Sequence, residues 1–301
     1  MGYKHRGGID LHIHSTASDG SLTPAQILSL ARKLRLGAIA ITDHDTIEGS
    51  REALQIGIPS DMGFTTGVEI SAAYPPFLRG AGSFHILAYA FRLDDSQLSR
   101  TLDTLRQARL DRNPRIVARL QDLGFDVALD DIRKEAGDVQ IGRPHIAQTL
   151  IKKGYVRSID EAFDKFLGNG KPAYVDKHRI SCVQAIDLIV QAGGIPVLAH
   201  PGLLDIEDED QFEQLIRNLV NIGLQGLEAY YPEHRPEQIQ RYRRLAKRYR
   251  LLMTGGTDFH GDINPQIKMG SGTGQLHVPY ALYRNLVSHS ANSKQSRLPL
   301  I

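Results

Sequence analysis

The chain opens on alternating apolar and polar positions, Ile9-Asp10-Leu11-His12-Ile13-His14-Ser15, the pattern of a half-buried strand. A helical pattern comes next. Ile27, Leu28, Leu30, Ala31 and Leu34 recur at helical spacing behind Thr23 as a cap and Pro24 in the first turn, and Gly37 stops the run. Ala38-Ile39-Ala40-Ile41-Thr42 is short and continuously apolar, as a strand buried on both faces requires. A short helix over about 47–55 and strands over 63–70 and 84–91 extend this to βαβα alternation, which predicts a mainly parallel sheet or barrel of the α/β class.

From about residue 92 to 177 the strand pattern gives way to helical periods over 98–123, 143–153 and 159–167, punctuated by Gly and Pro. We read residues 93–176 as a helical insertion that divides an α/β unit into 7–92 and 177–290. The α/β rhythm then resumes: helix 182–191, strand 195–201, helix 210–222, strand 224–229, helix 236–249 and strand 251–254. No internal repeat or low-complexity segment occurs, and the polar stretch 288–296 reads as a loose tail.

Composition narrows the function more than the fold. Hydrophobic residues make up 41% of the chain and charged ones 23%, the proportions of an ordinary globular protein with a sizeable core. With 36 basic against 34 acidic residues and no long run of either sign, composition calls for neither a nucleic-acid nor a membrane partner, while a nucleotide-sized anion stays compatible. The single cysteine, Cys182, excludes an internal disulfide framework and fits a reducing compartment. Met1-Gly2-Tyr3-Lys4-His5-Arg6 lacks an apolar export segment, Arg6 stands where a myristoylation signal needs Ser or Thr, and no stretch approaches a membrane span. A cytoplasmic, soluble protein is expected.

The chemistry gathers at the strand ends. Residues i and i+2 of a strand share a face, so His12 and His14 can converge on one ion. Asp19, His44, Glu69, His85, His200, Asp258 and His260 stand at or just beyond other strand ends, where α/β barrels build their sites. Nine imidazole and carboxylate groups without a thiolate suit Mn, Zn or Fe, with Mn favoured. A carboxylate such as Glu69 can bridge two ions, and clustered ions both activate water and hold phosphate oxygens. That combination points to phosphoester hydrolysis.

The motifs Asp10-Leu11-His12-Ile13-His14-Ser15, Thr42-Asp43-His44-Asp45, Glu69, His85, Ala199-His200-Pro201 and Gly256-Thr257-Asp258-Phe259-His260 together resemble the PHP (polymerase and histidinol phosphatase) superfamily of metal-dependent phosphoesterases. The resemblance implies a distorted (β/α)7 barrel and two or three divalent ions. It assigns His12, His14, Glu69 and Asp258 to one ion, Glu69, His85 and His200 to a second, and Asp19, His44 and His260 to a third.

Within the superfamily the chain most resembles stand-alone members with a helical insertion that hydrolyse nucleoside 3′,5′-bisphosphates, some of which trim short RNA from its 5′ end. The insertion itself, Gly142-Arg143-Pro144-His145-Ile146-Ala147 and Asn169-Gly170-Lys171-Pro172-Ala173-Tyr174-Val175 carry that likeness. Arg143 offers a phosphate a forked set of donors and His145 another, both at a predicted helix start that itself favours anions. Lys171 and Tyr174 join them as substrate-side candidates, and Glu228 and His234 as further pocket residues. His5, His178 and His289 read as surface residues, and the arginine-rich stretch 241–250 as a solvated helix face rather than an RNA track. Rival readings are a histidinol phosphatase, a broad phosphomonoesterase, or a non-catalytic module binding nucleotide or a polymerase partner.

Overall fold

The computed structural model describes residues 7–75, 84–136, 141–176 and 178–295. The expectations for Met1 to Arg6, His5 among them, lie outside these residues. Seven strands follow one another around a nearly closed barrel: β1 (Ile9–Ile13), β2 (Ala38–Ile41), β3 (Gly63–Ala73), β4 (Phe84–Tyr89), and then, past a two-residue strand β5 (Ile180–Ser181) that pairs with β3, β6 (Ile195–Leu198), β7 (Gly226–Tyr230) and β8 (Leu252–Gly255). A parallel bridge between Ile13 and Phe259 brings the last strand end back to the first. Four neighbouring pairs are parallel, but β4 runs antiparallel to both β3 and β6, so it departs from a uniform (β/α) winding.

The helices wrap the outside. They are α1 (Pro24–Lys33), α2 (Glu48–Ile56), then α3 (Ser96–Asp122), α4 (Leu129–Ala136), α5 (Arg143–Lys152) and α6 (Ile159–Ala162) of the inserted segment, and α7 (Cys182–Gln191), α8 (Glu209–Asn221), α9 (Pro236–Arg248) and α10 (Tyr280–Gln295). Thr23 caps α1 as expected, its side chain taking the Gln26 N–H while the Gln26 side chain returns to the Thr23 N–H. The tail expectation fails: residues 280–295 are helical, because Leu282 and Leu286 seat α10 against the barrel core beside Val278.

One apolar cluster fills the barrel interior, with Ile9, Leu11, Ala38, Leu87, Tyr89 and Val197 among its members. Ile13, by contrast, packs with Ile27, Ile39 and Ile41 on the α1 side. Simple alternation therefore breaks within β1, where the ladder register shifts between Asp10 and Ile13. Such bulges re-aim side chains at barrel rims, and here the residues affected include His12.

The inserted segment has its own core, built on Ile116, Leu120, Ile132, Ile146, Leu150 and Val175. It does not start as a separate body at residue 93, however. Leu98, Leu102 and Leu105 of α3 pack into the barrel's outer core, so one long helix serves both clusters.

Buried carboxylates tie neighbouring strand ends together. Asp10 accepts from Thr257 N at 2.9 Å, Thr257 Oγ1 at 2.6 Å and Gly270 N at 2.8 Å, linking β1 to the loop after β8. Asp43 takes the N–H and hydroxyl of Ser15 at 2.7 and 2.6 Å, and Asp45 those of Ser71 at 2.7 and 2.8 Å. Burial pushes the Asp10 carboxyl up to about 6 even against these donors. The strand ends they fix carry the histidines.

Candidate active site

The structure brings all nine sequence-predicted groups into one cluster at the barrel mouth. His12, His14, Glu69 and Asp258 place one nitrogen or oxygen each within 4.8 Å of one another, as do His14, Asp19, His44 and His260, and also His44, Glu69 and His85. His200 completes a further close set: its Nε2 lies 2.9 Å from Glu69 Oε1 and 3.2 Å from His85 Nδ1, which is itself 2.8 Å from that oxygen. Glu69 is therefore common to three of the sets, and His14, His44 and His85 each belong to two.

The donor atoms fit a shared cation better than one another. His12 Nε2, His14 Nε2, Asp19 Oδ1, His44 Nδ1, Glu69 Oε2 and Asp258 Oδ1 are buried without a hydrogen-bond partner, although His44 Nδ1 and Glu69 Oε2 stand only 2.8 Å apart. Leaving a buried polar group unmade costs roughly 1–3 kcal/mol. A cation satisfies several of these lone pairs together.

Hydrogen bonds behind the rings fix which nitrogen faces inward. His12 Nδ1 is bonded to Glu228 Oε1 at 3.0 Å, and His260 Nδ1 to the Asp258 carbonyl at 2.7 Å, which leaves Nε2 of each ring as the inward lone pair. Backbone strain marks the same place: Asp45 (φ 55°), His200 (φ 25°) and Asp258 (φ 55°) sit in the left-handed region that L residues avoid. Gly256 permits the tight fit, since a Cβ there would lie 2.3 Å from His12 N.

Burial alone would raise all three carboxylates, but the neighbouring imidazoles, with Arg109 at Asp19, outweigh it. His44, His260 and Arg109 hold Asp19 well below the usual range, while His85, His44 and His12 do so for Glu69. For Asp258 the lowering groups are His12, His14 and His260.

Beside the cluster lies a cavity of about 190 Å³, walled on one side by Asp19, His44, His85 and His260 and on the other by Arg109, Arg112, Arg143 and Arg179. Arg143 is held in place by the Leu167 carbonyl at 3.1 Å and by the rings of Phe163 and Tyr174, 5.2 and 5.8 Å away. Arg109 reaches Asp45 at 3.3 Å and Asp19 at 3.5 Å. Arg112 is 3% exposed, has no acid partner among the described residues and leaves its Nε unbonded. Burial, together with Arg143, Arg109 and Arg179, pushes its guanidinium down to about 8. Arg143 falls to about 10, chiefly through burial.

The other substrate-side candidates do not line the described cavities. His145 is buried and lines no described cavity; its Nδ1 accepts the Gly142 N–H at 3.0 Å, so it caps the start of α5. Lys171 is exposed and also lines none, because the turn around it points to solvent while Ala173 and Val175 enter the insertion core. Tyr174 works through its neighbours, its hydroxyl donating to Asp176 Oδ1 at 2.9 Å and accepting from Arg179 at 3.3 Å. His234 is structural: Nδ1 meets the Ala229 carbonyl and Nε2 the Gly202 N–H, both at 3.1 Å. Glu228 stands behind His12 and does not line the described cavities. On α9, Tyr242, Leu245 and Ala246 are buried and the basic residues between them face outward, while His178 and His289 are exposed.

Arg109 and Arg112 escaped the sequence reading, although a signal was present. Leu98, Leu102, Leu105, Arg109, Arg112 and Ile116 form a single i, i+3, i+4 stripe on α3, and arginine at two core-facing positions of such a stripe requires an anion.

A PHP domain family model matches residues 10–264. The chain belongs to the PHP family. It is 32% identical over 253 residues to a 3′,5′-nucleoside bisphosphate phosphatase of Chromobacterium violaceum, an alignment covering 84% of this chain and 87% of that protein. It is 31% identical over 265 residues to the 5′-3′ exoribonuclease Rnm of Escherichia coli, covering 87% of each. A crystal structure described as a metal-dependent phosphoesterase of Bifidobacterium adolescentis superposes with a TM-score of 0.79 at 32% identity, over 94% of this chain and 96% of that one. This PHP protein is accordingly a metal-dependent hydrolase of phosphate esters. Among its described residues, no helix is long and apolar enough to cross a membrane.

Proposed function

We propose that this PHP protein removes the 3′-phosphate of a nucleoside 3′,5′-bisphosphate, giving the nucleoside 5′-monophosphate and inorganic phosphate. One observation carries the reading: an arginine-lined cavity opens directly onto the nine-group cluster, so two anion sites lie side by side. A simple monoester offers a single phosphate and gives the second site nothing to hold. A bisphosphate occupies both.

His12, His14, Asp19, His44, Glu69, His85, His200, Asp258 and His260 are the residues we assign to two or three divalent ions, Mn, Zn or Fe with manganese favoured; the lack of a thiolate disfavours sulfur-selecting metals. Such ions lower the pKa of water and neutralise phosphate oxygens. Arg109, Arg112, Arg143 and Arg179 hold the phosphate that is not cleaved, and the planar fork of each guanidinium matches two of its oxygens. Clamping both phosphates fixes the ribose between them and so orients the scissile bond. The oxygen of water bonds to phosphorus, the bond from phosphorus to the ribose oxygen breaks, and a proton from that water ends on the ribose oxygen. The lone, buried Cys182 suits the reducing cytoplasm, where we place the reaction.

Release of inorganic phosphate by manganese-loaded protein from a panel of phosphoesters tests the proposal. A kcat/KM for adenosine 3′,5′-bisphosphate well above those for histidinol phosphate and p-nitrophenyl phosphate is expected. Equal rates across the panel would make the protein a broad phosphomonoesterase.

A further inference from the structure

We infer that a second, larger cavity at the cluster is a nucleoside site that admits a mononucleotide and turns away a polynucleotide; the inference rests on the bisphosphatase reading above. The cavity has a volume of about 520 Å³, against about 190 Å³ for the arginine chamber. Pro144, Phe163 and His260 line both, so the two meet over the cluster. The smaller one takes an anion. A base and sugar need the larger.

Its walls suit an uncharged ring system. Phe163 and Tyr231 provide aromatic surface, Ile159 and Ile263 apolar surface, and Asn264 and Gln266 amides that both donate and accept. Phe163 begins a five-residue π-helical turn, Phe163–Leu167, a rare local geometry that recurs at functional sites. With the guanidinium of Arg143 5.2 Å from its ring, Phe163 stands where anion binding gives way to base binding.

The charge of the larger cavity decides against a longer chain. Its described lining contains no lysine or arginine, and it carries Asp160 and Glu233 as well as Asp258 at the cluster. Sites for single-stranded nucleic acid pair stacking surfaces with a basic track along the backbone. Here the stacking surface is present and the track is missing. The outward basic residues Arg243, Arg244 and Lys247 border a different cavity, which shares no lining residue with this one. Asp160 and Glu233 are exposed at this cavity, so a chain that continued from the scissile phosphate past its rim would bring negative charge against them. Burial, Asp258 and Asp160 already raise the Glu233 carboxyl.

The test compares kcat/KM of the manganese-loaded protein for adenosine 3′,5′-bisphosphate and for a 5′-phosphorylated oligoribonucleotide, at low and high salt. The bisphosphate should be preferred by about tenfold or more, with the gap narrowing as salt screens the carboxylates. The pair Asp160→Asn and Glu233→Gln should narrow it several-fold. Phe163→Leu should raise KM for the bisphosphate about tenfold while kcat holds, the signature of lost stacking. An oligonucleotide cleaved within about threefold of the bisphosphate, or a ratio unmoved by the two substitutions, overturns the inference while leaving the bisphosphatase reading intact. No phosphate release from the bisphosphate overturns both.

Discussion

Glu228 holds His12 from behind: its Oε1 is 3.0 Å from His12 Nδ1, while its Oε2 accepts the His200 backbone N–H at 2.7 Å. One buried carboxylate of β7 thus orients a ring of β1 and the strained turn after β6. The His12 lone pair that remains faces Glu69 at 3.5 Å and Asp258 at 3.4 Å.

Glu228→Gln should therefore weaken metal binding without removing any of the nine groups. The amide presents a donor where the carboxylate offered two acceptors, so one of its two partners is lost. Outer-shell changes of this kind cost about 10- to 100-fold in metal affinity. Competition against a chromogenic chelator measures it, and an unchanged affinity would reduce Glu228 to a packing residue.

Elemental analysis of the purified protein should find at least two transition-metal ions per chain, because nine groups exceed what one ion can use. Chelation should lower the melting temperature as well as the activity. A site occupied at about a hundred times its Kd contributes roughly 2.7 kcal/mol to stability. A melting temperature indifferent to chelator would mean that the cluster holds no ion.

Arg143→Ala should reduce kcat/KM for a nucleoside 3′,5′-bisphosphate about ten- to a hundredfold, the worth of roughly 1.5–3 kcal/mol for a hydrogen bond to a charged group. Hydrolysis of p-nitrophenyl phosphate, which has no second phosphate, should hardly change. Equal losses on both would move Arg143 to the scissile phosphate.

Arg112→Met should separate stability from function. The buried guanidinium has no acid partner among the described residues, so an unbranched apolar replacement should raise the melting temperature of the free protein. KM for the bisphosphate should rise in the same variant. Thermal melts and steady-state kinetics on one preparation read both, and a less stable variant would show that Arg112 supports the fold.

His234 sets an acid limit on stability. Burial lowers its pKa from 6.5 to about 4 in the folded chain. The unfolded chain therefore binds this proton first as pH falls. Its stabilising contribution is complete above about pH 6.5, is lost progressively towards pH 4, and amounts to about 3 kcal/mol. Denaturant melts between pH 7 and pH 4 should show the decline, and His234→Gln should flatten it.

Much of the site could be read from the order of residues. His14, His44, His200 and Asp258 stand just beyond the ends of their strands, which gather at one mouth of a barrel, whereas His85 lies at the start of β4 and reaches that mouth because β4 runs antiparallel. Arg112 was less visible, since its meaning depends on which side of α3 is covered and by what. The short helix α4 is not legible in the sequence, and α10 reads as a loose tail because its polar residues hide the two buried leucines that seat it. The sequence shows His145 at a helix start, but only the packed insertion shows that Nδ1 caps α5 while Nε2 is left buried without a partner.

Local chemistry, written residue by residue, determined the α/β rhythm, the helical insertion and the nine candidate ligands. Tertiary structure alone decided how they combine. The antiparallel course of β4, the shift of register within β1, the carboxylate behind His12 and the meeting of four arginines drawn from three segments all depend on contacts between residues far apart in the chain. Periodicity reports which face of an element is buried. What that face meets is fixed only when the barrel closes.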